Sequence, residues 1–485
     1  MTPSLILVII SLYFLLLIAI SWFTGRKADN QSFFLANKAA PWYVVAFGMI
    51  GSSLSGVTFV SIPGTVASQS FSYMQLVLGY LLGYFVIIKV LLPLYYKMNL
   101  TSIYAYLEQR FGFFSHRTGA AFFLLSRTIG SSFRLYLVAM VLDTFVFAAW
   151  GIPFWATVVV TIVLIWLYTF RSGIKTILWT DTLQTAFLVG AVIISIGIIG
   201  EDLKLSLSDM ATSLQASPMS QVFFWDWQGS QNFFKMFFSG AFITIVMTGL
   251  DQDMMQKNLS CRSLADAQKN MMWFSIVLVF VNLLFLCLGA LLYIYADTKG
   301  IALPAKSDEL FPLLALQHFA PLAGFTFIIG LIAAAYSSAD SALTALTTSF
   351  CVDFLGFDEK KGDVKTRMQV HIAMSLVLGL QILLFHSLHN DSLITQLFKV
   401  AGYTYGPLLG LFAFGLFTNY VVKDRWVPLI AILSPVICYI LQANSEAWLW
   451  GYKFGFELLI LNGVITFLGL RLLAVKGKFV TKAIL

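Results

Sequence analysis

The sequence predicts an all-α polytopic membrane protein of about 13 transmembrane helices, arranged as an inverted repeat around a mid-membrane site. Three observations carry this expectation. The 485 residues are 59% hydrophobic and only 11% charged, against about 25% charged in a soluble protein. Apolar windows long enough to cross a bilayer recur along the whole chain. Two of those windows, five helices apart and therefore opposite in direction, are interrupted by glycines and hydroxyl residues.

The windows fall near 3–23, 42–69, 72–96, 118–149, 152–170, 177–199, 231–257, 268–297, 321–352, 366–387, 391–420, 425–443 and 450–473. The first lacks a basic leader and a small-residue cleavage site, so it reads as a retained span. Loop lysines and arginines divide 21 to one side and 5 to the other. The basic side includes Arg26, Lys27, Arg171, Lys257, Lys360, Lys361 and Lys482. The positive-inside rule then places the N-terminus outside and the C-terminus in the cytoplasm, as in a multi-pass protein of a cell membrane, here a bacterial inner membrane. The net charge of +7 follows from that asymmetry and needs no nucleic acid. No soluble output domain, nucleophile–base pair or His/Asp metal spacing argues for an enzyme, and no obligate protein partner is implied. Cys261, Cys287, Cys351 and Cys438 have no pair spacing, which predicts neither a disulfide nor a zinc site.

The second helix reads AFGMIGSSLSGVTFVSIPG over 46–64. Gly48, Gly51, Gly56 and Pro63-Gly64 weaken it, while Ser52, Ser53, Ser55 and Thr58 supply oxygens. Broken helices persist in a membrane only where the freed backbone groups find partners. The fourth helix carries Arg127 and Arg134 on one face, with Asp143 near it. Arg134 fits either an anionic solute or an internal ion pair, and Arg127 reads as structural. The sixth helix holds Asp181 beside Thr180, Thr182 and Gln184. The seventh is bracketed by Gly240 and Gly249, with Asp251 and Asp253 expected at the interface. An external run, ELFPLLALQHF, reads as a surface helix over the outer mouth. His318, His386 and His389 are expected in or beside external loops.

The ninth helix, LIAAAYSSADSALTALTTSF over 331–350, is the most polar span. Ser337, Asp340, Ser341, Thr344 and Thr348 share a helical face. Hard oxygen ligands suit a small hard cation. Taken alone, the hydroxyls favour close helix packing. Asp340 weighs against that reading, because a carboxylate in hydrocarbon costs roughly 2.5–3.5 kcal/mol and marks a pathway.

Six stretches occur in an order that resembles the sodium:solute symporters: GSSLSGVTFVSIPG at 51–64, YLEQRFG at 106–112, YTFRSGIKTILWTDTLQT at 168–185, DQDMMQKNLSC at 251–261, AAAYSSADSAL at 333–343 and GPLLGLFAFGLF at 406–417. The resemblance implies a LeuT-like fold of five plus five inverted helices. An extra helix within 1–30 precedes the core. The repeats occupy 42–199 and 231–420, and two helices and a tail fill 425–485. It also implies a sodium site of the Gly51, Leu54 and Ala334 carbonyls with the Ser337 and Ser338 hydroxyls. A second sodium site in some members would involve Asp181, Asp340 and Ser341; some members carry serine where Asp340 stands. Sialic acid carriers place a carboxylate-binding arginine near Arg134. Sugar carriers have a glutamine at the position of Thr58 and an inner-gate tyrosine at that of Met247, so a hexose fits less well.

The expected function is import of a small solute coupled to one or two sodium ions by alternating access. Ser53, Ser55, Thr58, Arg134, Thr248 and Tyr403 are the candidate solute-binding residues, with a carboxylate such as sialic acid favoured. A cation-coupled carrier of sugars, amino acids or vitamins is the alternative. A channel or sensor has less in its favour.

Overall fold

A computed structural model describes residues 3–25, 29–170, 173–357, 363–387 and 393–478. Arg26, Lys27, Arg171, Lys360, Lys361, His389 and Lys482 lie outside them. A helix stands in each predicted window. In chain order the helices of eight residues or more are α1 (Pro3–Thr24), α2 (Trp42–Ser53), α3 (Gly56–Gln69), α4 (Tyr73–Val86), α5 (Phe113–Leu142), α6 (Phe154–Thr169), α7 (Ile174–Asp202), α8 (Leu207–Ala216), α9 (Phe233–Thr244), α10 (Gln252–Leu259), α11 (Leu264–Lys299), α12 (Pro321–Ser349), α13 (Val364–His386), α14 (Leu393–Thr404), α15 (Gly406–Phe417), α16 (Val427–Trp448) and α17 (Leu458–Leu472). Among the described residues, seven helical stretches are long and apolar enough to cross a membrane, or eight if the bent pair formed by α9 and α10 counts as one span. Shorter apolar helices, α2, α6, α15 and α17, accompany them.

Large apolar side chains such as Leu12, Leu15, Phe280, Leu376, Leu380 and Leu468 are exposed. In water they would be a liability; against lipid they are the expected coat. The buried centre is α12, whose every residue from Leu331 to Ser349 is buried. It packs most extensively against α7, and α7 packs against α2. A second close pair is α4 with α9. Glycines permit that approach: a Cβ on Gly79 would lie 1.9 Å from the Phe237 carbonyl oxygen, and one on Gly240 would lie 2.1 Å from that of Leu76. Small residues let helix backbones touch where no hydrophobic force drives association.

Among the described residues, three helices are interrupted. α2 gives way to α3 at Leu54–Ser55. α9 widens into a π-turn over Ile245–Gly249 and then bends by 64° into α10. α14 stops at Thr404 and α15 restarts at Gly406, with Pro407 in its first turn, a position where a missing N–H costs nothing. The third break subdivides a window expected to be one helix.

At the end of the bundle that carries the basic loops, Tyr420–Val422 (β1) pairs antiparallel with Ala474–Lys478 (β2), Val422 facing Ala474. This two-stranded ribbon is a local departure from an otherwise helical chain. On the same end, Asp29 caps the short helix Asn30–Leu35 by accepting the Ser32 N–H at 2.7 Å. That bond holds the Asp29 carboxyl below its ordinary range. At the opposite end α8 begins with a capping box of Ser206 and Asp209. The ELFPLLALQHF run is helical there. Its Phe311 packs on Phe59 and Phe327, with ring centroids at 5.2 Å and 4.8 Å.

Candidate cation and solute site

The first break is a set of unused backbone acceptors. Leu54 (φ −87°, ψ 79°) and Ser55 (φ −68°, ψ 172°) leave the helical region. Leu54 N–H donates to the Ile50 carbonyl at 2.8 Å, and Phe59 N–H donates to Ser55 at 3.0 Å. Among the described residues no backbone N–H donates to the carbonyls of Gly51 or Leu54 across the break. Buried carbonyls are otherwise almost always paired. Here they face α12. A Cβ on Gly51 would lie 3.4 Å from Ser337 Oγ and 2.4 Å from Thr185 Oγ1. Only glycine allows this approach, and the Gly51 N–H donates to Thr185 Oγ1 at 2.9 Å. Ser338 Oγ reaches the Ser52 carbonyl at 3.2 Å and that of Ala334 at 3.3 Å. Ser337 Oγ is buried and has no protein partner among the described residues. Gly51, Ala334, Ser337 and Ser338 are thus brought together, and the free Leu54 carbonyl stands at the same break. A buried hydroxyl and two carbonyls without donors fit a hard cation.

The second predicted set is divided. Asp181 is fully buried, but Lys257 Nζ lies 2.7 Å from its Oδ2. Ser52 Oγ donates to the same oxygen at 2.8 Å, and Ser341 Oγ stands 3.4 Å away while donating to the Ser337 carbonyl at 2.9 Å. Asp340 turns elsewhere: its Oδ2 accepts from Tyr168 OH at 2.9 Å and its Oδ1 from the Ser341 N–H at 2.5 Å. Lys257, read from the sequence as a loop cation, is buried at 0% exposure. Thr344 Oγ1 is buried without a partner among the described residues, while Thr347 and Thr348 bond neighbouring helices. Thr347 Oγ1 bonds His371 Nδ1 at 2.9 Å, and Thr348 Oγ1 accepts from Gln256 Nε2 at 3.0 Å.

Beside the first break is a polar cavity. Its walls include Ser53, Ser55, Thr58, Arg134 and Thr248, all predicted, together with Tyr73, Tyr80, Tyr84 and Asn282, which were not. The tyrosines recur on one face of α4, a spacing visible in the sequence. Tyr73 and Tyr80 hydroxyls are 3.1 Å apart. Arg134 is 6% exposed, and its Nε and Nη1 find no protein acceptor. Among the described residues no carboxylate lies within 4.0 Å of it. Asp143, the expected alternative partner, instead accepts from Thr157 Oγ1 at 3.3 Å. The structure does not bring Tyr403 to this cavity: its hydroxyl bonds Gln442 on α16. Tyr405, two residues on, turns inward instead, beside Arg127 and Arg134.

Below the cavity, towards the basic end, lies a charged seal. Asp251 and Asp253, expected at an interface, are both buried, at 0% and 1% exposure. Arg127 pairs with Asp253 and stands 3.8 Å from Asp251. Asp251 also caps α10 and accepts from Tyr405 OH at 2.6 Å. Bending α9 into α10 carries the whole segment Gln252–Leu259 into the protein, which loop counting could not anticipate.

The sodium:solute symporter family profile matches residues 33–424. The chain is 24% identical to the sodium/sialic acid symporter NanT of Aliivibrio fischeri over 414 residues, covering 82% of this chain and 80% of NanT. It is 23% identical to the human sodium/iodide cotransporter over 408 residues, covering 81% of this chain but 62% of that longer protein. Among solved structures, a substrate-bound, outward-open Na+-coupled sialic acid symporter matches with TM-score 0.80 and 21% identity, over 96% of this chain and 97% of its own. Mhp1, a nucleobase-cation-symport-1 transporter, matches with TM-score 0.54 and 13% identity, over 90% and 92%. These likenesses establish the LeuT-like fold.

Proposed function

The chain belongs to the sodium:solute symporter family, and on that premise we propose that it imports a small carboxylate-bearing solute together with sodium. The single observation that carries the sodium reading is the pair of free carbonyls at Gly51 and Leu54 together with the unpartnered Ser337 hydroxyl near Gly51. Five oxygens without formal charge make a weak cage, as an ion released in every cycle requires. The carboxylate reading rests on Arg134, a buried guanidinium with unpaired N–H groups at the cavity wall. Its planar fork matches a carboxylate in two parallel bonds. The serines at the break, Thr58, Thr248 and the α4 tyrosines supply the hydroxyls that a polyol acid such as sialic acid needs.

In this reading 42–199 and 231–420 form the two five-helix repeats of a chain with about 13 spans. The basic end faces the cytoplasm. Sodium entering from outside joins the α2–α3 break to α12, which orders the serines lining the cavity. Solute then engages Arg134, and release inward requires the Arg127–Asp253 and Tyr405–Asp251 contacts of the seal to part. A tenfold sodium gradient contributes about 1.4 kcal/mol, and 100 mV adds about 2.3 kcal/mol per charge. Together these hold a neutral solute roughly 500-fold uphill. For a mono-anion moving with one sodium the electrical part cancels, leaving about tenfold.

The test is uptake into proteoliposomes with sodium or choline outside, across a panel of sialic acid, other organic acids, sugars and amino acids. Sodium-dependent uptake of an acid, abolished in the Ser337→Ala, Ser338→Ala double variant, is the expected result. Equal uptake in choline sinks the sodium reading. Undiminished acid binding by Arg134→Ala sinks the carboxylate reading.

A further inference from the structure

We propose that Lys257 is a built-in cation that takes the place of a second sodium on Asp181, so that this transporter couples each solute to one sodium. The inference rests on the sodium-symport reading above and specifies its stoichiometry.

The ammonium is placed as a bound cation would be. It is fully buried, it lies 2.7 Å from Asp181 Oδ2, and it also contacts Ser52 Oγ. Ser52 itself donates to Asp181. Ammonium, hydroxyl and carboxylate therefore close a triangle between α10, α2 and α7. An ion at Asp181 would put two positive charges on one buried carboxylate, where repulsion is little screened.

Asp340 does not supply a competing site. Both of its oxygens are engaged within the protein, with Tyr168 OH and the Ser341 N–H. The ammonium already neutralises the Asp181 carboxylate, so a sodium added beside it would leave a net positive charge in a low-dielectric interior, which is unfavourable.

The same geometry says what happens when the ammonium is removed. Asp181 Oδ1 has no protein partner among the described residues, and Ser52 Oγ and Ser341 Oγ lie 2.8 Å and 3.4 Å from Asp181 Oδ2. Without Lys257 these oxygens form a charged ligand set that sodium can fill. Lys257→Ala is therefore a gain of site, whereas loss of an ordinary structural lysine gives only loss of stability.

The experiment counts radioactive sodium bound per chain of purified, detergent-solubilised protein, alongside the sodium dependence of uptake in proteoliposomes. The expected wild-type result is one sodium per chain, with uptake rising as about the first power of sodium. Lys257→Ala should bind two, and its uptake should steepen towards about the second power. Lys257→Arg keeps the positive charge and should stay at one. Lys257→Ala combined with Asp181→Asn should return to one. Two sodium ions on the wild type, or one on a folded Lys257→Ala, overturns the proposal. If Lys257→Ala does not fold, the wild-type and Lys257→Arg counts still decide it. Absence of any sodium dependence in the wild type is a different outcome: it defeats the symport reading itself.

Discussion

Replacing Arg127 by methionine should release the seal at the basic end of the cavity, at a cost set by burial. Arg127 and Asp253 are 4% and 1% exposed in their side chains, so water screens neither. Asp253 has no hydrogen-bond donor of its own among the described residues and depends on the guanidinium. Asp251 is better provided, accepting from Tyr405 and from the first turn of α10. Removing one partner of a buried pair costs about 3–5 kcal/mol because the other charge is stranded. That corresponds to roughly 150- to 5,000-fold in the equilibrium between a sealed and an opened basic end. Asp253→Asn should cost less, about 1–3 kcal/mol, since Arg127 keeps Asp251 at 3.8 Å. The assay is the alkylation rate of a single cysteine placed at Met254, which lines the cavity near the seal, by a reagent supplied from the basic side. Arg127→Met should accelerate it most, and Arg127→Met with Asp253→Met should restore protection, because no charge is then stranded. Single variants that behave like surface substitutions, within about 0.5 kcal/mol, would refute the reasoning. So would a double variant no better than the sum of its parts.

Gly51→Ala should impair sodium-dependent uptake and lower thermal stability by about 1–3 kcal/mol, because its Cβ would meet Thr185 Oγ1 at 2.4 Å; recovery with Thr185→Ala would identify the clash as the cause, and a silent Gly51→Ala would disprove it. The Asp29 cap gives a pH dependence. Its carboxyl is held below the ordinary range by the Ser32 N–H, so its contribution is present above the unfolded value of about 3.9 and is lost as pH falls through the lower folded value. Melting curves of wild type and Asp29→Ala should differ at pH 6 and converge in strong acid; a gap that persists there would contradict the assignment.

What the sequence made legible was the backbone. Glycine and serine content placed the first two breaks, since these residues act locally, as the missing Cβ at Gly51 does; Pro63, expected to weaken the same helix, lies inside an unbroken α3. Asp181 and Ser337 stood out for a similar reason, as polar atoms in hydrocarbon that must have partners. The partners themselves were not legible. Lys257, Asp251 and Asp253 occur where an apolar window ends, and hydropathy reads such residues as loop or interface. A 64° bend turns them back into the protein. No periodicity reports the direction in which a broken helix resumes. Tyr403 failed for a related reason: it lies on α14 and bonds Gln442, while Tyr405, at the α14–α15 break, is the tyrosine that stands beside Arg127 and Arg134.

The three breaks are joined to one another by those illegible partners. Ser52, just before the first break, meets Lys257, beyond the second. Asp251, at the second, accepts from Tyr405, at the third, and stands by Arg127 on the unbroken α5. Each joint is a buried bond involving a charge, the class whose loss is costly and whose geometry is discrete. An interrupted helix alone offers freedom to move without any reason for its two arms to move with those of another helix. Joints of this kind supply the reason. A change at the α2–α3 break displaces Ser52 and the ammonium it touches, and α10, which carries that ammonium, also carries Asp253 of the seal. In the proposed cycle, cation binding and opening of the basic end would act on the same eight-residue helix, α10, whose position both would bias.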